Sequence, residues 1–268
     1  MTRKNFSLST TSPLTSPWAW ALAGAVFGLL LTLLLNAPAR WLAAAVQQGT
    51  GGRLLLQEAR GTVWRGSARL VLAGGLGSTD AATLPGRLTW QLHPHVSGLQ
   101  ATLQADCCMP QAGQVSLQPR WGGFTLTLAD SQSQWPAQWL TGLGTPWNTV
   151  QAEGQLALST QGLSVQWTAG RLLLAGRAQL DAVQLSSRLS TLKPMGSYRL
   201  VLSGGATPTL QLDTLDGSLQ LSGKGQWVGA KLRFDGVASA KPEHLDALSN
   251  LLNIIGRRDG ERAIIKVG

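Results

Sequence analysis

Leu99–Asp106 reads LQATLQAD. Leu99, Ala101, Leu103 and Ala105 fall on one side of an extended chain, and Gln100, Thr102, Gln104 and Asp106 on the other. Side chains of a strand point alternately to its two faces, so this stretch is a strand with one buried face. The same period of two recurs outward from it. Leu88, Trp90 and Leu92 precede it; Val115 and Leu117, then Phe124, Leu126 and Leu128, then Leu163, Val165 and Trp167 follow. Later come Leu180–Leu185, Tyr198–Leu202, Leu210 with Leu212, and Leu219 with Leu221. Turn residues separate the runs: Gly74-Gly75, Pro85-Gly86, Gly122-Gly123, Gly204-Gly205 and Asp216-Gly217. A strand every ~8–12 residues, with no helix between successive strands, predicts an antiparallel meander and not a parallel sheet. The fold expected is mainly β: an antiparallel, curved sheet domain with a short C-terminal helix, preceded by one N-terminal transmembrane helix.

That helix is WAWALAGAVFGLLLTLLL, Trp18–Leu35, eighteen residues without a charge. At ~1.5 Å per residue it nearly spans a hydrocarbon core of ~30 Å, and Asn36 and Ala37 complete the length. Trp18 and Trp20 at one end and Trp41 past the other suit the headgroup layer. With Leu30 and Leu35 they are the expected membrane anchor. Arg3 and Lys4 precede the span and no acid does. The positive-inside rule then keeps residues 1–17 in the cytoplasm and sends 38–268 across the membrane. The rival reading is a cleaved signal peptide, since Ala37-Pro38-Ala39 resembles a small-x-small cleavage site. The apolar run is longer than the ~7–15 residues of a signal core.

Three further segments read as helical. Pro38–Gln48 (PARWLAAAVQQ) ends at Gly49, Gly51 and Gly52. Trp135–Leu143 (WPAQWLTGL) makes a turn or two. Pro242–Ile255 (PEHLDALSNLLNII) is stronger: Pro242 opens it, Glu243 sits in the first turn, and Leu245, Leu248, Leu251 or Leu252, and Ile255 form a stripe. Gly256 stops it, Arg257 and Arg258 follow, and Ala263–Val267 is a last strand. A faint internal echo would split the body into two similar halves near 145–150.

Composition narrows the function. The 268 residues carry 13% charged side chains, about half the usual share. Three His (His93, His95, His244) and 13 Asp and Glu leave little for acid–base chemistry. There is no nucleophile elbow, no phosphate loop and no four-ligand zinc spacing. His93-Pro94-His95 reads as two polar residues where Pro94 ends a strand. Cys107 and Cys108 are adjacent: two thiols at a strand end, or a disulfide, vicinal or intermolecular. No enzyme, cofactor or metal is expected. The net charge of +9 is spread singly along the chain, which excludes a concentrated nucleic-acid patch and favours a membrane surface or a protein partner. Eight Trp lie in the body, filling a core or lining a docking surface.

Three stretches carry a resemblance. Gly61-Thr62-Val63-Trp64-Arg65-Gly66 is similar to the GTVW-x-G box of the type II secretion system protein N family. Pro194–Leu200 (PMGSYRL) resembles its PxGxYRL segment. GSLQLSGKGQWVGAKLRFDGVASA, followed by Leu251–Gly268 (LLNIIGRRDGERAIIKVG), resembles the end of that family. Members often carry Asn where Arg65 stands. The resemblance implies a non-enzymatic inner-membrane component of a machine that exports folded periplasmic proteins across the outer membrane. It also implies contacts with other components, such as protein C or the secretin. Trp64, Arg65, Leu251, Leu252, Arg257 and Arg258 are the expected docking residues, through a Trp-bearing surface or an exposed edge strand. The competing class is a curved-sheet lipid carrier or bridge. A continuous open apolar groove would favour it, and a groove filled by the protein's own side chains would not.

Overall fold

The computed structural model describes residues 18–75, 77–168, 171–229 and 231–268. The expected cytoplasmic tail, residues 1–17 with Arg3 and Lys4, lies outside the described residues. The chain divides into two units, Met1–Ala37 and Pro38–Gly268.

In the first unit, α1 (Trp18–Leu35) is exposed along its whole length. Its mean hydropathy of 2.1 and its length are those of a membrane-crossing helix. Its polar residues do not need water. Thr32 Oγ1 donates to the Gly28 carbonyl at 2.8 Å, and Asn36 Nδ2 donates to the Thr32 carbonyl at 3.0 Å.

The second unit opens with α2 (Ala39–Gly49). Then come β1 (Leu54–Gly61), β2 (Arg65–Ala73), β3 (Ala81–Thr83), β4 (Leu88–His95), β5 (Gly98–Ala105), β6 (Gly113–Arg120), β7 (Gly123–Leu128) and β8 (Ser131–Pro136). A 3-10 segment, Ala137–Leu143, and α3 (Trp147–Val150) lead to two long strands, β9 (Glu153–Thr168) and β10 (Arg171–Ser186). They are followed by β11 (Gly196–Gly205), β12 (Thr209–Gly217), β13 (Leu219–Val228) and β14 (Lys231–Ala240). The chain closes with α4 (Leu245–Ile255), β15 (Arg257–Asp259) and β16 (Arg262–Val267). Among the described residues sixteen strands form one antiparallel sheet with two free ends, at β1 and β15. Neighbours follow chain order, with three departures. β3 pairs only β2; β7 and β8 both pair β9; β16 lies between β14 and β15. Residues 145–150 contain α3, and the sheet continues past them because β7 pairs directly with β9.

Several local expectations are corrected. β4 runs through Pro94, which pairs with Leu99. Leu92 N–H donates to the Trp64 carbonyl, so two residues on, Pro94 presents its missing N–H to the side where β2 has ended. A proline costs no ladder bond there. Trp135 belongs to strand β8, opposite Leu156, and only the residues after Pro136 are helical. Arg257 and Arg258 form a strand. β9 and β10 are sixteen residues each, where the alternation predicts only Leu163–Trp167 and Leu180–Leu185. Their apolar phase explains the error. Leu156 and Leu158 are even-numbered and Leu163, Val165 and Trp167 odd, so no single alternation covers β9. The register shifts between them, with Gly162 at φ +55° and Gly176 at φ +85°. Such a bulge lets one strand change phase without breaking.

Three apolar clusters stabilise the body. Trp90 packs with Ala39 and Ala68 under α2; Leu84, Ala105 and Cys108 pack with Trp135 and Trp139; the largest joins β9–β14 and β16 to α4. Across β10 and β11, Arg199 binds Asp181 bidentately, Nε to Oδ1 at 2.7 Å and Nη2 to Oδ2 at 2.8 Å. This holds the Asp181 carboxyl below its usual range, against partial burial and with help from Gln179. A carboxyl lowered in the folded state stabilises the fold above its unfolded pKa of ~3.9 and loses that contribution as pH falls through the folded value. Urea midpoints of wild type and Asp181→Asn should therefore differ at pH 7 and converge on acidification below that range.

Candidate functional site

The GTVWRG box is the turn between β1 and β2. Thr62 N–H donates to the Arg65 carbonyl at 2.8 Å, and Arg65 N–H donates to Thr62 Oγ1 at 3.1 Å. Gly61 has φ +88°, and a Cβ there would lie 2.5 Å from the Arg65 carbonyl oxygen. Trp90 Nε1 donates to the Val63 carbonyl at 3.0 Å, and its ring lies over Gly66. Trp64 is half-buried and Arg65 exposed. The box is thus first a folding device, with Arg65 as its outward residue.

PMGSYRL is built similarly. Met195 and Tyr198 are buried. Tyr198 OH donates to the Leu219 carbonyl at 3.1 Å, and burial raises its pKa. Arg199, on the other face, makes the Asp181 pair. In the C-terminal stretch, Gly223, Gly225 and Gly236 form a shelf under the Phe234 ring, where a methyl at any of them would crowd the ring.

Helix α4 lies on β14 and β16. Leu248, Leu251 and Leu252 are at most 2% exposed. Leu251 and Leu252 are therefore corrected from surface docking residues to packing residues: they are the apolar face that seats α4. Arg257, Arg258 and Asp259 are exposed on β15, the terminal strand. Neither arginine is in an ion pair among the described residues. Trp64 with Arg65, and Arg257 with Arg258, sit at opposite ends of the strand order, so they make two surfaces, not one.

Sequence reasoning missed a cavity of about 1040 Å³ between the sheet and α4. Its sheet wall is Leu156, Leu180, Leu200, Leu212, Leu221 and Phe234, and Ile254 and Ile255 face it from α4. Arg257, Arg258 and Lys266 stand at its rim. Two serines brace the walls. Ser187 Oγ donates to the Val150 carbonyl beside α3, and Ser190 Oγ donates to the Ala247 carbonyl in α4 at 2.9 Å. The glycines of β13 and β14 are no signal for it, because the Phe234 ring covers them and it is the ring that lines the cavity. Among the described residues its lining includes none from β1–β8. Over β4 and β8 the space is filled by Trp90 and by Trp135 stacked on Trp139, ring centres 5.4 Å apart.

Cys107 and Cys108 are joined to each other in the turn after β5. Among the described residues no group of three or more His, Cys, Asp or Glu is placed to hold a metal ion. His93 and His95 are both exposed.

No curated protein and no solved structure matches the chain. The family model described as type II secretion system (T2SS), protein N, matches residues 52–265. That range holds all three resembling stretches, except the last three residues of the chain. The turn at Gly61–Gly66, the Tyr198 crossing and the α4–β16 closure are thus parts of one family pattern, and the chain belongs to the type II secretion system protein N family.

Proposed function

We propose that this type II secretion component is a non-enzymatic, single-span inner-membrane protein that docks to other parts of the machine and so supports export of folded proteins. The observation that carries the docking is the β15 edge. Its backbone pairs β16 on one side only, it carries two exposed arginines that are in no ion pair among the described residues, and an apolar cavity opens beside it. An extended acidic segment of a partner can add to such an edge, with main-chain bonds for affinity and the cavity for an apolar side chain. Protein C and the secretin are the candidate partners. The span is α1, with residues 1–17 cytoplasmic and the body periplasmic. Ala39, within the stretch that resembles a cleavage site, is buried against the core, which supports an uncleaved anchor.

A photocrosslinker in place of Arg257 should capture another secretion component in living cells. Arg257→Glu with Arg258→Glu should cut secretion about tenfold at unchanged protein level, because charge reversal at a docking rim acts on association. Capture of no component together with normal secretion refutes the docking. The cavity favours one second reading, a bound acyl chain with an anionic head at Arg257, Arg258 and Lys266. It is a bounded site and not a bridge, since Trp90, Trp135 and Trp139 fill the groove elsewhere. Native mass spectrometry of the purified chain reads it directly: a co-purifying phospholipid supports it, and a lipid-free chain refutes it.

A further inference from the structure

Every turn between directly paired strands at one end of the sheet is short, and those turns share a chemistry. At this end lie residues 62–64, 96–97, 121–122 and 206–208, the paired strand ends Thr168 with Arg171 and Val228 with Lys231, and the end of β16. The helices α3 and α4, the 3-10 segments Ala137–Leu143 and Pro242–His244, and the longer links lie at the other end. Val96 and Trp121 are fully exposed at their turns, and Phe124, Trp167, Leu172 and Leu173 are exposed just behind them. A soluble surface seldom offers that much apolar area at one rim.

The charge is equally one-sided. Residues 60–66, 92–99, 118–124, 166–168, 171–173, 203–210, 226–229, 231–233 and 266–268 hold seven Lys or Arg and none of the chain's 13 Asp and Glu. The nearest acids already hold cations. Glu58 is paired with Arg69 and Arg87, outside these stretches, and Asp235 offsets one of the seven, Lys266. The chain also enters the body here. Pro38, the first residue of the body, bridges Thr62 in the β1–β2 turn.

We propose that this rim of turns is a membrane-surface contact that takes anionic phospholipid, with Trp121 and Val96 entering the headgroup layer and the cations above them. An indole at the interface and lysine or arginine against anionic headgroups are the two forces a bilayer surface offers. A protein partner would need acids to answer the same rim, but the point of chain entry favours lipid. The proposal rests on α1 being an uncleaved span.

The test uses the full chain in nanodiscs holding one copy, made of phosphatidylethanolamine with phosphatidylglycerol. Fluorophores are placed at Val96→Cys and Trp121→Cys, with Gln111→Cys, exposed at the other end, as reference. The native cysteines are closed on each other. Iodide quenching at 96 and 121 should be about threefold weaker than at 111, and Arg120→Glu with Lys231→Glu and Arg233→Glu should abolish the difference. Equal quenching at all three sites, in a chain that stays in the disc, overturns the contact and leaves the span intact. A chain that leaves the disc overturns the span itself. Protection that survives the charge reversal, or that appears only in native membranes, also overturns the proposal; the second result assigns the rim to a protein.

Discussion

A single methyl group on Gly66 is expected to cost the fold about 2–4 kcal/mol, overpacking plus one lost buried hydrogen bond. The new Cβ of Gly66→Ala would sit 2.5 Å from Trp90 Cζ2 and 2.6 Å from the Arg60 carbonyl oxygen. Neither can yield easily. Gly66 and Trp90 are cross-strand partners, and the ring is pinned by its bond to the Val63 carbonyl and by Ala39 and Ala68. The Arg60 oxygen belongs to the backbone of β1. Glycine under an aromatic ring is a recurrent sheet device, because the ring covers the backbone that glycine exposes. A loss of this size matters against a total stability of about 5–15 kcal/mol. Urea unfolding followed by Trp fluorescence measures it. Combining Gly66→Ala with Trp90→Leu separates the two obstacles. The double variant should be less destabilised than the sum of the singles, because the ring is one obstacle and the Arg60 carbonyl the other. Strict additivity would show that the ring is no obstacle.

The same geometry explains why this box is readable in the sequence. Gly61 must turn, Gly66 must lie under a ring, and Thr62 must accept the Arg65 N–H, so the residue types are constrained one by one. The same is true of Tyr198, whose hydroxyl has one acceptor, and of the glycine shelf under Phe234. The alternation of β4, β5, β6 and β7 was legible because each strand keeps one phase. That of β9 was not, because the bulge at Gly162 reverses the phase within a single strand. Pro94 misled for a different reason. Whether proline ends a strand depends on which neighbour its missing N–H would have faced, and that is a property of the sheet. Trp135 and Leu251 show the third limit. A Trp beside a Pro and a Leu on a helical stripe say what packs, but not against which element. The cavity was illegible for the same reason: it is the space left between α4 and strands that run from β9 to β14, far back in the chain at one end, and only pairing order brings those together.

Packing and docking at the end of the chain can be told apart by charge placed two residues apart. Leu252→Asp is expected to remove about 5 kcal/mol or more, because Leu252 is fully buried and the new carboxylate meets Leu248 and its neighbours, with no partner cation. That is comparable with the whole stability of the domain. Leu252→Ala, losing only apolar contact, should cost about 2–5 kcal/mol. Ile254→Asp should cost much less, since Ile254 is 40% exposed at the mouth of the cavity. Proteolysis of membranes carrying each full-length variant ranks them directly. Leu252→Asp should be degraded and secretion-dead. Ile254→Asp should survive intact. Arg257→Glu with Arg258→Glu should also survive intact, with secretion cut about tenfold through the β15 edge alone. A stable Leu252→Asp protein would mean that α4 is not seated on β14 and β16 by its leucines. A degraded arginine double variant would mean that β15 closes the sheet and does not offer it to a partner. The two results are independent, because the helix is held from below by apolar contact, while both arginines are exposed and the bond from Arg258 Nε to the Gly260 carbonyl, at 2.7 Å, stays within the β15–β16 turn.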